Sequence, residues 1–188
     1  WQGKKEPVDF YLTKGIVERV AEKLNLQFDF RAGQIDGLHP GRTAIVSLNG
    51  KDIGFIGELH PTLAANNDLK RTYVFELYYD AMMEVSVGYI NYEPIPRFPG
   101  VTRDIALEVN HEVTSSELLS IIHENGEDIL NDTLVFDVYE GEHLEKGKKS
   151  IAIRLSYLDT ENTLTDERVN AVHDKILEAL KKHGAIIR

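Results

Sequence analysis

The sequence predicts an α+β protein composed of two modules. Short runs in which apolar and polar residues alternate are typical of strands, and they occur in both halves of the chain. Between them lie longer segments whose apolar residues recur at the spacing of one helix face. In the second half these segments follow the order β-α-β-β-α-β, which indicates one sheet covered by two helices.

Composition and charge narrow the class of protein. The 188 residues include no cysteine, which excludes disulfides and thiolate metal sites and makes a cytoplasmic location the expectation. The net charge of −10 argues against a protein that coats nucleic acid, including DNA, but leaves room for an RNA contact on a small surface. No apolar run approaches the roughly 20 residues of a membrane span, so no membrane partner is expected. Because the chain begins at Trp1, we expect a piece of a longer polypeptide.

A proline-rich stretch separates the two modules. NYEPIPRFPG (91–100) contains three of the six prolines, and proline favours an extended conformation in the residue before it. We therefore expect a first domain over 1–90, a linker over 91–97 and a second domain over 98–188.

The first module begins with a predicted helix and continues with strands. DFYLTKGIVERVAEKLNL (9–26) has apolar residues that fall largely on one face, namely Phe10, Ile16, Val17, Val20, Ala21 and Leu24. A tight hairpin is expected at Asn49-Gly50, between TAIVSL and KDIGFIGEL, because this dipeptide tolerates positive φ. Further strands are predicted in FDFRAG (28–33) and YVFELYYD (73–80), and Asp80 is expected to cap a short helix that reaches Met83.

The second module contains the six segments of the β-α-β-β-α-β order. Strands are predicted over 102–110, 132–141, 149–159 and 185–188, and helices over 115–126, with a capping serine, and 165–184. This order is the split βαβ arrangement of a ferredoxin-like fold.

Strand alternation divides the second sheet into two faces. The set expected against the helices is Ile105, Leu107, Val109, Leu134, Phe136, Val138, Ile151, Ile153 and Leu155. The helix-free face is expected to carry Ala106, Glu108, Asp137, Tyr139, Ser150, Ala152, Arg154 and Ser156. Such a face can stack and read unpaired bases, or it can simply contact solvent. The nearby basic cluster Lys146, Lys148 and Lys149 is either a solvated loop or a set of phosphate contacts.

Other polar residues are candidates for catalytic or metal sites. His39 and His60 precede prolines at the two ends of the predicted hairpin, with Arg42 and Glu58 beside them. A metal site needs at least three ligands with defined spacing, so we expect these side chains to fix loop ends by hydrogen bonds. Asp104 and Asp137 resemble a carboxylate pair, but no pocket residue accompanies them, so we expect no catalytic residue and no metal site. His173 is expected on a helix surface.

Seven motifs, in order along the chain, carry a resemblance to a known family. They are DFYLTKGIVE (9–18), GLHPGRTA (37–44), IGFIGELHP (53–61), FPGVTRDIAL (98–107), FDVYEGEHLEKGKKSIAIRLSY (136–157), TLTDERVNAVHDKI (163–176) and the closing GAIIR. With these motifs the chain resembles the C-terminal part of the bacterial-type phenylalanyl-tRNA synthetase beta subunit. The resemblance implies that the first module is the end of a catalytically silent, class II synthetase-like domain. It also implies that the second is the ferredoxin-fold anticodon-binding domain.

The resemblance also implies partners, cofactors and site residues. The family's enzyme is a heterotetramer of two alpha and two beta subunits, in which alpha handles ATP, Mg²⁺ and phenylalanine, so no cofactor is expected in this chain. The expected partners are tRNA(Phe) and the alpha subunit. The expected anticodon-binding residues are Ala106, Asp137, Tyr139, Ser150, Lys148, Lys149 and Arg154. In the alternative hypothesis, the open sheet face receives another protein and not RNA.

Overall fold

The computed structural model describes residues 7–84, 95–141 and 144–188. The chain divides into two compact units, Trp1–Tyr92 and Glu93–Arg188. Most of the predicted linker, residues 91–94, lies outside the described residues, and 95–97 contain no helix or strand. In the described part of the chain, no helix is both long and apolar enough to cross a membrane.

The first unit is an antiparallel sheet in the order β1-β2-β3-β4, with a helix packed against it. Its elements are α1 (Phe10–Lys23), β1 (Asp29–Ala32), β2 (Leu38–Leu48), β3 (Lys51–Leu59), α2 (Pro61–Asn66), β4 (Tyr73–Leu77) and α3 (Tyr79–Met83). Helix α1 begins where the Asp9 carboxylate accepts a hydrogen bond from the Leu12 amide, as an N-cap residue does. Apolar residues of α1, β2, β3 and α3 form the core of this unit.

The buried stripe of α1 is narrower than the sequence predicts. Thr13, Val17 and Ala21 are buried, whereas Ile16 remains 50% and Leu24 39% exposed. The prediction that Ile16 and Leu24 belong to the packed face was wrong. The buried residues of α1 are spaced by four along one line of the helix, and the neighbouring apolar line that contains Ile16 and Leu24 stays exposed.

The sequence predicted the hairpin turn at Asn49-Gly50 correctly, but not the start of helix α3. Asn49 and Gly50 have φ of 51° and 79°, the left-handed conformation that a two-residue hairpin turn requires, so the hairpin prediction is confirmed. Asp80 does not cap α3. This helix begins after Tyr78 without a side-chain cap, and Asp80 lies in its first turn, where a carboxylate favours the helix dipole.

The second unit is an antiparallel sheet in the order β6-β7-β5-β8, consistent with a ferredoxin-like fold. Its elements are β5 (Val101–Asn110), α4 (Ser115–Asn125), a 3₁₀ turn (Glu127–Ile129), β6 (Leu130–Tyr139), β7 (Lys148–Tyr157), α5 (Asp166–Lys182) and β8 (Ile186–Ile187). Apolar residues from both helices and from β5 and β7 form one core on one side of the sheet. Helix α4 is capped by Thr114 and not by a serine, because Thr114 and Glu117 exchange hydrogen bonds in a capping box.

Strand β6 departs from the alternation that the sequence predicts. Leu134 and Phe136, expected in the core, are 53% and 48% exposed. The pairing between β6 and β7 is irregular between Val135 and Asp137, which marks a β-bulge. An extra residue in one strand shifts the period-two alternation by one position, and this shift overturns the prediction for Leu134 and Phe136.

The register shows which side chains the bulge moves. Val135 lies opposite Ile153, a fully buried core residue, and packs against the core where Leu134 was expected. Beyond the bulge, Val138 lies opposite the buried Ile151 and so keeps the helix side, but it is 52% exposed. It sits at the end of an edge strand, where few side chains can cover it.

Candidate nucleic-acid interface

The face of the second sheet opposite the helices is here termed the open face. Residues that pair directly across antiparallel strands project to the same side, so the register defines its members. They are Thr102, Asp104, Ala106, Glu108 and Asn110 on β5, Lys148, Ser150, Ala152, Arg154 and Ser156 on β7, Asp132, Leu134, Asp137 and Tyr139 on β6, and Ile186 on β8. Phe136, at the bulge, joins this face because its ring contacts the Arg154 guanidinium.

Four of the predicted site residues come together in two adjacent rows of the open face. In one row Ala106 and Asp137 flank Ala152. In the next row Ser150 separates Glu108 from Tyr139. Ser150 and Ala152, on the middle strand, have small side chains and leave a shallow depression. The Asp137 carboxylate and the Tyr139 ring lie beside it on β6.

Tyr139 lies at the end of β6, beside Gly141. The residue is 42% exposed, and its phenol lies against the backbone of Gly141. A Cβ atom at position 141 would overlap the Tyr139 hydroxyl, so only glycine leaves space for this orientation. The ring therefore lies at the surface, and its hydroxyl is next to a residue that has no side chain.

Arg154 is engaged by a carboxylate of the neighbouring strand. Its Nε and Nη2 atoms each donate a hydrogen bond of 2.8 Å to the Asp104 carboxylate, a bidentate arrangement. These hydrogen bonds lower the pKa of Asp104 and raise that of Arg154. The charge of Arg154 is thus largely balanced within the sheet.

Lys148 takes part in a second charge cluster on the open face. Its Nζ donates to Glu108 at 3.1 Å and lies 2.7 Å from the Glu145 carboxylate. Glu108 is only 8% exposed and also accepts a hydrogen bond from Arg188 Nε at 3.1 Å. Hydrogen bonds to Glu145 and Glu108 raise the pKa of Lys148, whereas the bond from Lys148 lowers that of Glu108.

Lys149 does not share a face with Lys148. It pairs with Val109, whose side chain lies in the core, so Lys149 projects towards the helices. There its charge adds to the hydrogen bonds from Thr114 that lower the pKa of Glu117, in the first turn of α4. The structure does not bring Lys148 and Lys149 together as one phosphate clamp.

Sequence reasoning missed Phe136 as a member of the open face. The Arg154 guanidinium carbon lies 5.3 Å from the centroid of the Phe136 ring, within cation–π range. No signal in the alternation could have revealed this contact, because it depends on the bulge.

The His-Pro segment of the first unit fixes loop ends. His39 Nδ1 accepts a hydrogen bond of 3.1 Å from the Gly41 amide. His60 is the N-cap of α2, where its Nδ1 accepts from the Thr62 amide at 3.3 Å and Pro61 opens the helix. The prediction that these histidines make local hydrogen bonds is confirmed.

Glu58 belongs to a separate cluster in the first unit. It is 5% exposed, and its Oε2 accepts hydrogen bonds from Arg42 Nη1 at 2.8 Å and from the Tyr73 hydroxyl at 3.0 Å. Arg71 Nε lies 3.7 Å from its other oxygen. Burial opposes ionisation, but these hydrogen bonds and the two arginine charges outweigh it and lower the pKa of Glu58. Through Arg42, Glu58 and Tyr73 the cluster joins β2, β3 and β4.

His173 is less exposed than predicted. Its Nδ1 lies 3.0 Å from the hydroxyl of Tyr157, a buried residue of β7. Burial lowers the pKa of His173 and raises that of Tyr157 to about 12. Both groups are therefore neutral at pH 7 and link α5 to the sheet.

Comparison with known families places both units in one class of protein. Residues 96–188 match the family model "Ferredoxin-fold anticodon binding domain", and residues 1–79 match "Phenylalanyl tRNA synthetase beta chain CLM domain". The antiparallel sheet with two helices on one side, and the open face on the other, agree with the first of these matches. The chain is thus of the aminoacyl-tRNA synthetase class.

Curated relatives define the family within this class. The chain is 98% identical to the phenylalanine–tRNA ligase beta subunit of Staphylococcus epidermidis, 79% to that of Staphylococcus haemolyticus and 71% to that of Staphylococcus aureus strain MSSA476. Each match includes all 188 residues of this chain and 24% of the relative, so the chain spans about a quarter of the length of these relatives. The chain belongs to the phenylalanine–tRNA ligase beta-subunit family.

Proposed function

We propose that the open face binds the anticodon region of tRNA(Phe), and that the chain serves a phenylalanine–tRNA ligase as part of its beta subunit. The observation that carries this proposal is the exposed ring of Tyr139 beside Asp137, on a helix-free sheet face within the segment that matches an anticodon-binding family. Unpaired bases are commonly bound on such faces, by stacking on aromatic rings and by hydrogen bonds at their edges.

The geometry supports a division of roles among the site residues. Tyr139 offers a ring on which one base stacks. The Asp137 carboxylate accepts hydrogen bonds from the amino or imino groups of a base edge. Ala106 and Ser150 are small enough to let that base approach the sheet, and the serine hydroxyl can donate or accept.

The balanced charges on this face lead to a specific expectation about salt. Lys148 and Arg154 are already bound by carboxylates of the sheet, so binding RNA releases few counterions through them. Affinity should therefore fall only shallowly with salt, compared with a protein that neutralises many phosphates. Recognition would then rest on stacking and on base edges more than on charge.

In this proposal, catalysis by the whole enzyme belongs to a separate alpha subunit. That subunit would use ATP and Mg²⁺ to charge the tRNA with phenylalanine. In the described part of this chain, no three His, Asp or Glu side chains lie together in a way that could hold a metal ion. The first unit would be a catalytically silent, class II-like domain, in which buried Glu58 engages the arginines Arg42 and Arg71. A tetramer of two alpha and two beta subunits in the cytoplasm completes this proposal.

Titration of the chain with the anticodon stem-loop of tRNA(Phe) tests the RNA contact. Tyr139→Ala and Asp137→Ala should weaken binding, the tyrosine change by roughly 5- to 150-fold if one stacked base is lost. Tyr79→Ala is the matched control, because Tyr79 is a 65% exposed tyrosine of the first unit, and it should bind as the parent does. If both open-face variants bind as tightly as the parent, the RNA does not lie here, and the face would be an interface for another protein.

A second measurement tests the assignment of catalysis to alpha. The purified chain should support no phenylalanine-dependent exchange of pyrophosphate into ATP, because the proposal assigns ATP and phenylalanine to the alpha subunit. Exchange that grows with chain concentration, in a preparation free of alpha subunit, would contradict this assignment.

A further inference from the structure

Phe136 is an aromatic side chain that the fold does not use. It is 48% exposed although it is apolar, and the bulge between Val135 and Asp137 turns it away from the core. Bulges often redirect a side chain near a functional site. Because nearly half of the side chain is exposed, the ring is accessible to a binding partner.

The partner of Phe136 is fixed in place. Arg154 lies over the ring at 5.3 Å and is held from the opposite strand by the two hydrogen bonds to Asp104. Arg154, on β7, therefore contacts Phe136 on β6 and Asp104 on β5. Since Asp104 balances its charge, Arg154 is better suited to stack than to bind a phosphate.

Phe136 and Tyr139 lie on the same face but are too far apart to serve one base. Three residues of a strand span roughly 10 Å at about 3.3 Å per residue, and the bulge shortens this only in part. Stacked neighbours in a nucleic-acid strand are about 3.4 Å apart. Asp137 lies between the two rings, so two separate positions for bases flank one carboxylate.

We propose that Phe136 and Arg154 form a second base-stacking position on the open face, which takes a different unpaired nucleotide of the RNA loop from the one on Tyr139. This inference rests on the proposed function, because it concerns the same RNA and the same face. Planar bases stack both on phenyl rings and on guanidinium planes, and this recognition tolerates different bases. Phe136 and Arg154 would thus add affinity, while Asp137 would discriminate between bases.

Binding of anticodon stem-loops with single abasic positions to the full chain tests this inference. Phe136→Leu removes the ring and keeps apolar bulk, and it should weaken binding of the intact stem-loop by about 5- to 150-fold. Phe136→Tyr should restore binding. Phe75→Leu is the matched control, the same change at a 42% exposed phenylalanine of β4 in the first unit, and it should change affinity less than twofold.

The abasic series identifies the nucleotide. At one position, removal of the base should weaken binding by the parent but not by Phe136→Leu. At a different position, removal of the base should weaken binding by the parent but not by Tyr139→Ala. Coupling of both variants to the same nucleotide, or parent-like binding by Phe136→Leu while Tyr139→Ala is impaired, would overturn the second position and leave the proposed function intact. Absence of stem-loop binding by the parent would overturn both. Thermal unfolding of each variant confirms that an affinity change does not reflect misfolding.

Discussion

Replacing Glu58 by glutamine tests how much the buried cluster of the first unit contributes to its stability. Glutamine keeps the size of the side chain but removes the charge that receives the hydrogen bonds of Arg42 and Tyr73. Loss of one partner of a fully buried ion pair costs about 3–5 kcal/mol. Here the side chains of Arg42 and Arg71 are 45% and 59% exposed and can turn to water, so we expect a smaller loss, about 1–3 kcal/mol.

Hydrogen exchange at pH 7 measures this loss within the first unit alone. Amides of β2, β3 and β4 that exchange by global opening of the unit should exchange roughly 5- to 150-fold faster in Glu58→Gln. Amides of β5 and β7 serve as an internal control and should not change. Asp52→Asn is the matched variant, because it breaks an ion pair with Arg31 in which both side chains are more than half exposed, and it should cost under about 1 kcal/mol.

The effect of Glu58→Gln should depend on pH in one direction. The folded state lowers the pKa of Glu58 below its ordinary value of 4.5, so the ionised carboxylate contributes its full stability above that value. This contribution is lost as the pH falls through the lower pKa of the folded state. The difference between parent and variant should therefore shrink on acidification below 4.5. Equal exchange in Glu58→Gln and Asp52→Asn at pH 7, or a difference that persists at strongly acidic pH, would refute the reasoning.

Three further predictions concern the strands and one helix cap. Gly54→Ala should abolish exchange protection along β4, because a Cβ atom at position 54 would overlap the Glu76 carbonyl oxygen; unchanged protection would contradict this close approach. Ile153→Ala should lower the free energy of unfolding by about 2–5 kcal/mol in urea, since the side chain is fully buried, whereas Phe136→Ala should cost less than about 1 kcal/mol. Equal costs would place Phe136 in the core. Thr114→Ala should destabilise α4 by about 1 kcal/mol, seen as a lower melting temperature, and an unchanged value would show that the capping box is not needed.

Features that depend on neighbouring residues could be predicted from the sequence. The hairpin turn at Asn49-Gly50 follows from the φ angles that these two residues tolerate. The loop-end hydrogen bonds of His39 and His60 reach amides only two residues away. The order of strands and helices, and hence the fold class, likewise reflects periodicities within single segments. The placement of Ala106, Asp137, Ser150 and Tyr139 on one face also followed from alternation, although their role in RNA binding stays a prediction.

Features that depend on how strands meet were decided by the tertiary structure. The bulge in β6 exists only in relation to β7, and it moved Leu134 and Phe136 from the expected core to the surface. The charge balance of the open face joins residues distant in sequence, since Glu108 is 40 positions from Lys148 and 80 from Arg188. No local pattern encodes such pairs, because their energy arises only when separate strands are aligned in one register. The sequence therefore determined which segments form the sheet, and the packing of those segments determined which side chains the sheet presents.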